Sequence, residues 1–188
     1  MLFGRADEEI QALKDVGIAV EVVPGITAAL AGAASLQESL TLRGISRSVA
    51  FVTLAQATDG TQNEQDQEIQ QPISNPSADT LVYYMGRKDA AKIAQQLIEQ
   101  SPNQRTDTPV HILEAVSTER ERLWSSTLGE LAKGKADNWF DASSPALIMV
   151  GAALRSKTQV SERLESLSPK IDDGLQDSQI LTNRRRRA

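Results

Sequence analysis

Arg5 and Glu8, in the run Phe3-Gly4-Arg5-Ala6-Asp7-Glu8-Glu9, are the first residues whose types and spacing carry chemistry. Three apart on a helix they share a face, so the guanidinium is placed to hold an anion while the carboxylate takes a proton. Acids in a first helical turn are also expected for dipole reasons alone, and the spacing leaves both readings open. A second set lies in Val22-Val23-Pro24-Gly25-Ile26-Thr27-Ala28-Ala29, where an apolar run stops at Pro-Gly and a helix of small residues begins. In open α/β folds such a junction brings backbone and a threonine hydroxyl to the end of the sheet where ligands bind. Small side chains serve close helix packing equally well. The third set is Thr80-Leu81-Val82-Tyr83-Tyr84-Met85-Gly86, a strand halted at Met-Gly. There Met85 offers soft contact to a flat ring, or fills a core. Arg43 and Arg47 are isolated cations suited to anchoring an anion or to lying solvated in a loop. His111, inside an apolar run, reads as a packed side chain rather than a catalyst.

These residues depend on a series of elements that the hydrophobic pattern predicts. A helix over 6–16 carries Ile10, Leu13 and Val16 on one stripe, begins with acids and ends at Gly17. The β-branched run 19–23 predicts a strand, and 28–35 a helix with Thr27 as its cap. A strand follows at 48–53. The segment 55–78 is rich in Gln, Asn, Asp and Ser and reads as a linker. Strands at 80–84, 109–113, 122–126 and 146–150, with helices at 90–98 and 128–133, restore a βαβ rhythm. The class is therefore α/β. The expected organisation is a first lobe over 1–53, a polar linker over 54–78, a second lobe over 79–154 and a polar tail over 155–188.

Composition narrows the function. A chain of 188 residues with 40% apolar and 24% charged residues is globular by default. Without cysteine it has no disulfide or thiolate chemistry, and with His111 as its single histidine a metal centre is not expected. No apolar stretch approaches a membrane span of about 20 residues and no secretory leader is visible, so a cytoplasmic location is expected. The net charge is −5, against a basic tail at Arg184–Arg187. Such a tail is usually solvated, and nucleic acid is not the expected partner.

The ordered blocks FGRADEE, VEVVPGITAALAGAA, LTLRGISRSVAFVT, TLVYYMG, TPVHILEAVST and PALIMVG closely resemble the tetrapyrrole methyltransferases, above all the uroporphyrinogen-III C-methyltransferases. The resemblance runs from Met1 to about Ala152. It implies a homodimer of two α/β lobes, with S-adenosylmethionine bound between them as methyl donor and no metal. The implied reaction methylates uroporphyrinogen III at C2 and C7, giving precorrin-2 for sirohaem or cobalamin; the alternatives are a precorrin methyltransferase acting at another ring position and a non-catalytic dimerising remnant. Carried over by motif, Leu2, Thr27, Ala28, Met85 and Val116 contact the cofactor. Arg5, Arg43, Arg47 and Met85 face the substrate, and Glu8 with Arg5 carries the catalytic role. The family's Glu-Asn-(Ala/Gly)-(Ser/Thr) reads Glu114-Ala115-Val116-Ser117 here. The two glycine-rich loops that precede the Phe-Gly-Arg block in the family do not occur in this chain, so the first lobe is expected to be incomplete, with uncovered apolar faces.

Overall fold

The computed structural model describes residues 1–53 and 75–155. Most of the expected linker, and the tail with Arg184–Arg187, lie outside these residues. Helix α1 (Ala6–Asp15) and helix α2 (Ala28–Leu36) are followed by strand β1 (Val49–Thr53) and strand β2 (Thr80–Tyr84). A single 3-10 turn (Arg87–Asp89) leads into helix α3 (Ala90–Gln100), and then come β3 (Pro109–Glu114), β4 (Arg122–Thr127), α4 (Leu128–Ala132) and β5 (Ala146–Gly151).

All five strands form one sheet in the order β1-β2-β5-β3-β4. β1 runs parallel to β2, with Phe51 opposite Val82. β5 is inserted antiparallel between β2 and β3, pairing Val82 with Met149 on one side and Ile112 with Ile148 on the other. β4 closes the far edge, antiparallel to β3. β2 and β3 therefore point the same way, and both end on the same side of the sheet. β1, before the expected lobe boundary at residue 53, is hydrogen-bonded along its whole length to β2, which follows that boundary.

Both faces of the sheet are covered, which explains strands that read as unbroken apolar runs. Period-two alternation assigns the faces. Leu81, Tyr83, Ile112, Ile148 and Val150 join Ile93 and Leu97 of α3 and Leu131 of α4 in one core. Val82, Leu113, Leu147 and Met149 face the other way, onto Ala29 and Ala33 of α2. Each fully buried leucine or isoleucine of the first core contributes roughly 1.5–3 kcal/mol relative to exposure. The second core is thinner, because α2 brings mainly alanine and Gly32 to it.

The run 19–23 is not a strand; residues 18–27 are irregular. Val22 and Val23 are exposed. β-propensity expresses itself only where a neighbouring strand supplies a ladder, and none lies beside this segment among the described residues. Helix α1 forms as expected, but no residue of its apolar stripe is fully buried: Ile10 is partly covered, and Leu13 and Val16 are exposed. Its acids at Asp7, Glu8 and Glu9 and Lys14 in its last turn still complement the helix dipole. Among the described residues no helix is long and apolar enough to cross a membrane.

Candidate functional site

A cleft of about 670 Å³ opens where β2 and β3 end. Two of its walls are the turns that follow these strands. Met85, directly after β2, and Ala115, directly after β3, both hold left-handed backbone, with φ of 57° and 48°. A side chain pays of order 1 kcal/mol to adopt that conformation, and such residues gather where backbone geometry serves a ligand. Both line the cleft, as do Ala28 at the start of α2 and Val116 in the turn after β3. Thus Ala28, Met85 and Val116, distant in sequence, meet at one apolar surface.

Thr27 is not one of the lining residues, yet it is tied to one. Its backbone occupies the cap position of α2, but its hydroxyl makes no cap hydrogen bond. Instead Thr27 Oγ1 lies 2.5 Å from the hydroxyl of Tyr84, and that hydroxyl accepts the Ala29 N–H at 2.9 Å. Tyr84 thus does the capping expected of Thr27, from the last position of β2. Phe3 packs against the same ring with centroids 5.1 Å apart, and Phe51 lies 6.2 Å away on another side. Phe3 holds the chain start beside the cleft. Leu2 is next to it but largely exposed and does not line the cleft.

Arg5 and Glu8 sit two and five residues beyond Phe3 and pair with each other, Arg5 Nε donating to Glu8 Oε2 at 2.9 Å. The hydrogen bond from Arg5, reinforced by its charge, holds the Glu8 carboxyl below the usual range. Arg43 is exposed in a tight turn bridged from Leu42 to Ser46. The side chain of Arg47 is exposed as well, while its N–H, with the N–H and hydroxyl of Ser48, donates to Asp79 Oδ2. Those donors lower the Asp79 pKa and fasten the start of β1 to the start of β2. Neither Arg43 nor Arg47 lines the cleft.

The third wall is the stretch from Ala142 to Pro145, which follows Asp141 and which sequence reasoning did not single out. Three anchors hold it. Arg87 donates to the carbonyls of Asp141 and Ser144 at 2.6 and 3.2 Å. The Asp141 N–H donates to Glu114 Oε1 at 2.8 Å. Glu114, 1% exposed, is paired in turn with Arg122 at 3.1 Å. Arg122 lies over the ring of Trp139, 4.5 Å from its centroid. Inside the loop, the Ser143 N–H and hydroxyl and the Ser144 hydroxyl donate to the Asp141 carboxylate and lower its pKa to about 2. The only advance signal was Pro145 ahead of an apolar run.

His111 is fully buried, with Nε2 3.4 Å from Glu38 Oε2. Glu38 also accepts the Arg155 N–H. Burial raises the Glu38 pKa, but these two partners outweigh it and the net shift is downward. The pair joins the segment after α2 to the middle of β3 and does not line the cleft.

The architecture agrees with known proteins. Residues 1–132 match the family of Tetrapyrrole (Corrin/Porphyrin) Methylases. A uroporphyrinogen-III C-methyltransferase of Pseudomonas fluorescens is 36% identical over 151 residues, covering 80% of this chain and 57% of the relative. Siroheme synthase 2 of Aeromonas hydrophila is 37% identical over 158 residues, covering 83% of this chain and 31% of that protein. The chain therefore spans little more than half of one relative and about a third of the other. Uroporphyrin-III C-methyl transferase from Thermus thermophilus, solved in complex with S-adenyl homocysteine, superposes with a TM-score of 0.63 at 32% identity, over 82% of this chain and 60% of that one. The family match, the shared fold and the order of the motifs lead to one conclusion: this chain belongs to the tetrapyrrole methylase family.

Proposed function

We propose that the protein takes part in S-adenosylmethionine-dependent C-methylation of uroporphyrinogen III, at C2 and C7, on the way to sirohaem or cobalamin. The observation that carries this reading is the convergence of Ala28, Met85 and Val116 on one cleft at the ends of β2 and β3. The cleft fits the cofactor in kind. Its apolar wall suits an adenosine, and Met85 and Ala115, both in left-handed backbone, line the space a ligand would fill. When bound, the sulfonium supplies an electrophilic methyl group. Thr27, Ala28, Met85 and Val116 would hold the donor, with Leu2 beside them, and no metal has a role.

The protein's own work is then positioning and proton handling. Arg5, with its planar fork, binds a substrate carboxylate. Arg43 and Arg47 would take others. In the free protein Glu8 is a weak base, because Arg5 stabilises its charged form. A substrate carboxylate that draws Arg5 away removes that stabilisation, so Glu8 gains basicity as substrate arrives and can accept the proton the methylated ring must lose. The expected setting is a cytoplasmic homodimer.

Equilibrium dialysis of the 188-residue chain against S-adenosylhomocysteine, followed by labelled methyl transfer to uroporphyrinogen III, tests the reading. The expected result is saturable binding, with transfer lost in Arg5→Gln and Glu8→Gln at unchanged thermal stability. Absence of both binding and transfer would overturn it.

A further inference from the structure

The cleft carries a charge pattern that the motif-derived site does not use. Its charged lining residues are Arg87, Lys88 and Arg120, and no aspartate or glutamate lines it, in a chain whose net charge is −5. Cations with no carboxylate among the lining residues favour an anionic ligand. The three cations are not equivalent. Arg87 is committed to the carbonyls of Asp141 and Ser144 and supports the wall. Lys88 and Arg120 are exposed, and among the described residues neither side chain has a hydrogen-bond or ion-pair partner. Lys88 stands in the 3-10 turn after β2, and Arg120 in the turn after β3. With β5 between those strands, the turns start two strand spacings apart, roughly 10 Å. The apolar residues Ala28, Met85, Val116 and Pro145 lie in the same cleft.

We propose that Lys88 and Arg120 are carboxylate anchors at the cleft mouth that select a flat, apolar ligand with several peripheral carboxylates. This rests on the tetrapyrrole reading above for the ligand's identity and extends it to two residues outside the family motifs. A carboxylate could come from the tetrapyrrole or from the amino-acid end of the methyl donor, and the test separates these sources.

The full 188-residue chain is titrated with uroporphyrin III, an octacarboxylate, and with coproporphyrin III, a tetracarboxylate, by fluorescence. S-adenosylhomocysteine binding is followed by calorimetry. Wild type is expected to bind uroporphyrin more tightly than coproporphyrin, by a margin that shrinks with added salt. Lys88→Gln and Arg120→Gln should each weaken uroporphyrin about three- to tenfold, with S-adenosylhomocysteine binding and thermal stability unchanged. The charge-preserving pair Lys88→Arg and Arg120→Lys should restore most of the affinity. Unchanged uroporphyrin affinity in the double glutamine variant, or no uroporphyrin binding by wild type, overturns the proposal. So does a loss confined to S-adenosylhomocysteine, which would give the cations to the donor's carboxylate. Cation-dependent uroporphyrin binding without any S-adenosylhomocysteine binding would sink the methyl-transfer reading and leave the anchors standing.

Discussion

The hydroxyl of Tyr84 lies 2.5 Å from Thr27 Oγ1 and accepts the Ala29 N–H at 2.9 Å, so a side chain on the sheet caps the helix that opens the cleft. One group thereby fixes two walls of the cleft, because Met85 follows Tyr84 directly and Ala28 lies between the two residues it binds.

Tyr84→Phe keeps the ring contacts with Phe3 and Phe51 and removes only the hydroxyl. Loss of a cap costs about 0.5–2 kcal/mol. The expected outcome is a fall in stability of roughly 1 kcal/mol in urea unfolding, with weaker S-adenosylhomocysteine binding. Thr27→Val leaves the Ala29 bond in place and should cost less. If Tyr84→Phe binds and unfolds like wild type, the hydroxyl positions nothing.

A pH effect follows from Glu38. Its folded pKa is lower than its ordinary value, through His111 and the Arg155 N–H acting against burial. A depressed carboxylate stabilises the fold fully above its unfolded pKa, near 4.3, and that contribution is lost as pH falls through the folded value. Glu38→Gln keeps the volume and an acceptor for Arg155. Its urea midpoint, followed below about pH 4.5, should therefore fall less steeply than that of wild type. Parallel acid limbs for the two proteins would refute the assignment.

Breaking the pair behind the cleft wall should be costly. Arg122→Met leaves Glu114, 1% exposed, with the Asp141 N–H at 2.8 Å as its remaining hydrogen-bond partner among the described residues. Removing one partner of a buried pair costs about 3–5 kcal/mol, and the half-exposed position of Arg122 puts this case toward the lower end. Arg122→Met with Glu114→Gln should recover part of that loss, since no unpaired charge remains. Thermal unfolding of both variants checks this, and a double variant no more stable than the single one would count against it.

What the chain's local pattern revealed and what it hid divide along contact range. The strand runs 80–84, 109–113 and 146–150 and the stripe of α3 were readable because both sheet faces are covered and α3 buries Ile93, Ala94 and Leu97. The order of the strands was not, since nothing local places β5 between β2 and β3 or gives β1 to the same sheet. Residues 19–23 had strand propensity and no ladder to join. The same holds at the site. Met85 and Ala28 stood out because they lie in motifs, whereas the capping role of Tyr84, the Glu38–His111 pair and the placing of the cations Lys88 and Arg120 at one cleft depend on segments far apart in sequence.

Two glycines of similar appearance in the sequence should respond to alanine in opposite ways. Gly32 lies within α2, facing the sheet, where a Cβ would meet Met149 Sδ at 3.5 Å and Leu147 Cδ1 at 3.6 Å, ordinary packing distances. Glycine inside a helix costs about 0.8–1.0 kcal/mol relative to alanine. Gly32→Ala should therefore stabilise the protein by roughly 0.5–1 kcal/mol, because the added methyl fills space against the thinner core without displacing it. Gly129 lies in the first turn of α4, where a Cβ would come within 2.9 Å of the Thr106 carbonyl oxygen. That oxygen accepts the Gly129 N–H, so it is held in place and has little freedom to retreat. Gly129→Ala should then cost about 1–3 kcal/mol as the α4 start is pushed off the loop. Urea midpoints of the two variants should move to opposite sides of wild type. A Gly32→Ala variant less stable than wild type would mean that α2 sits closer to the sheet than the helix and its alanines allow.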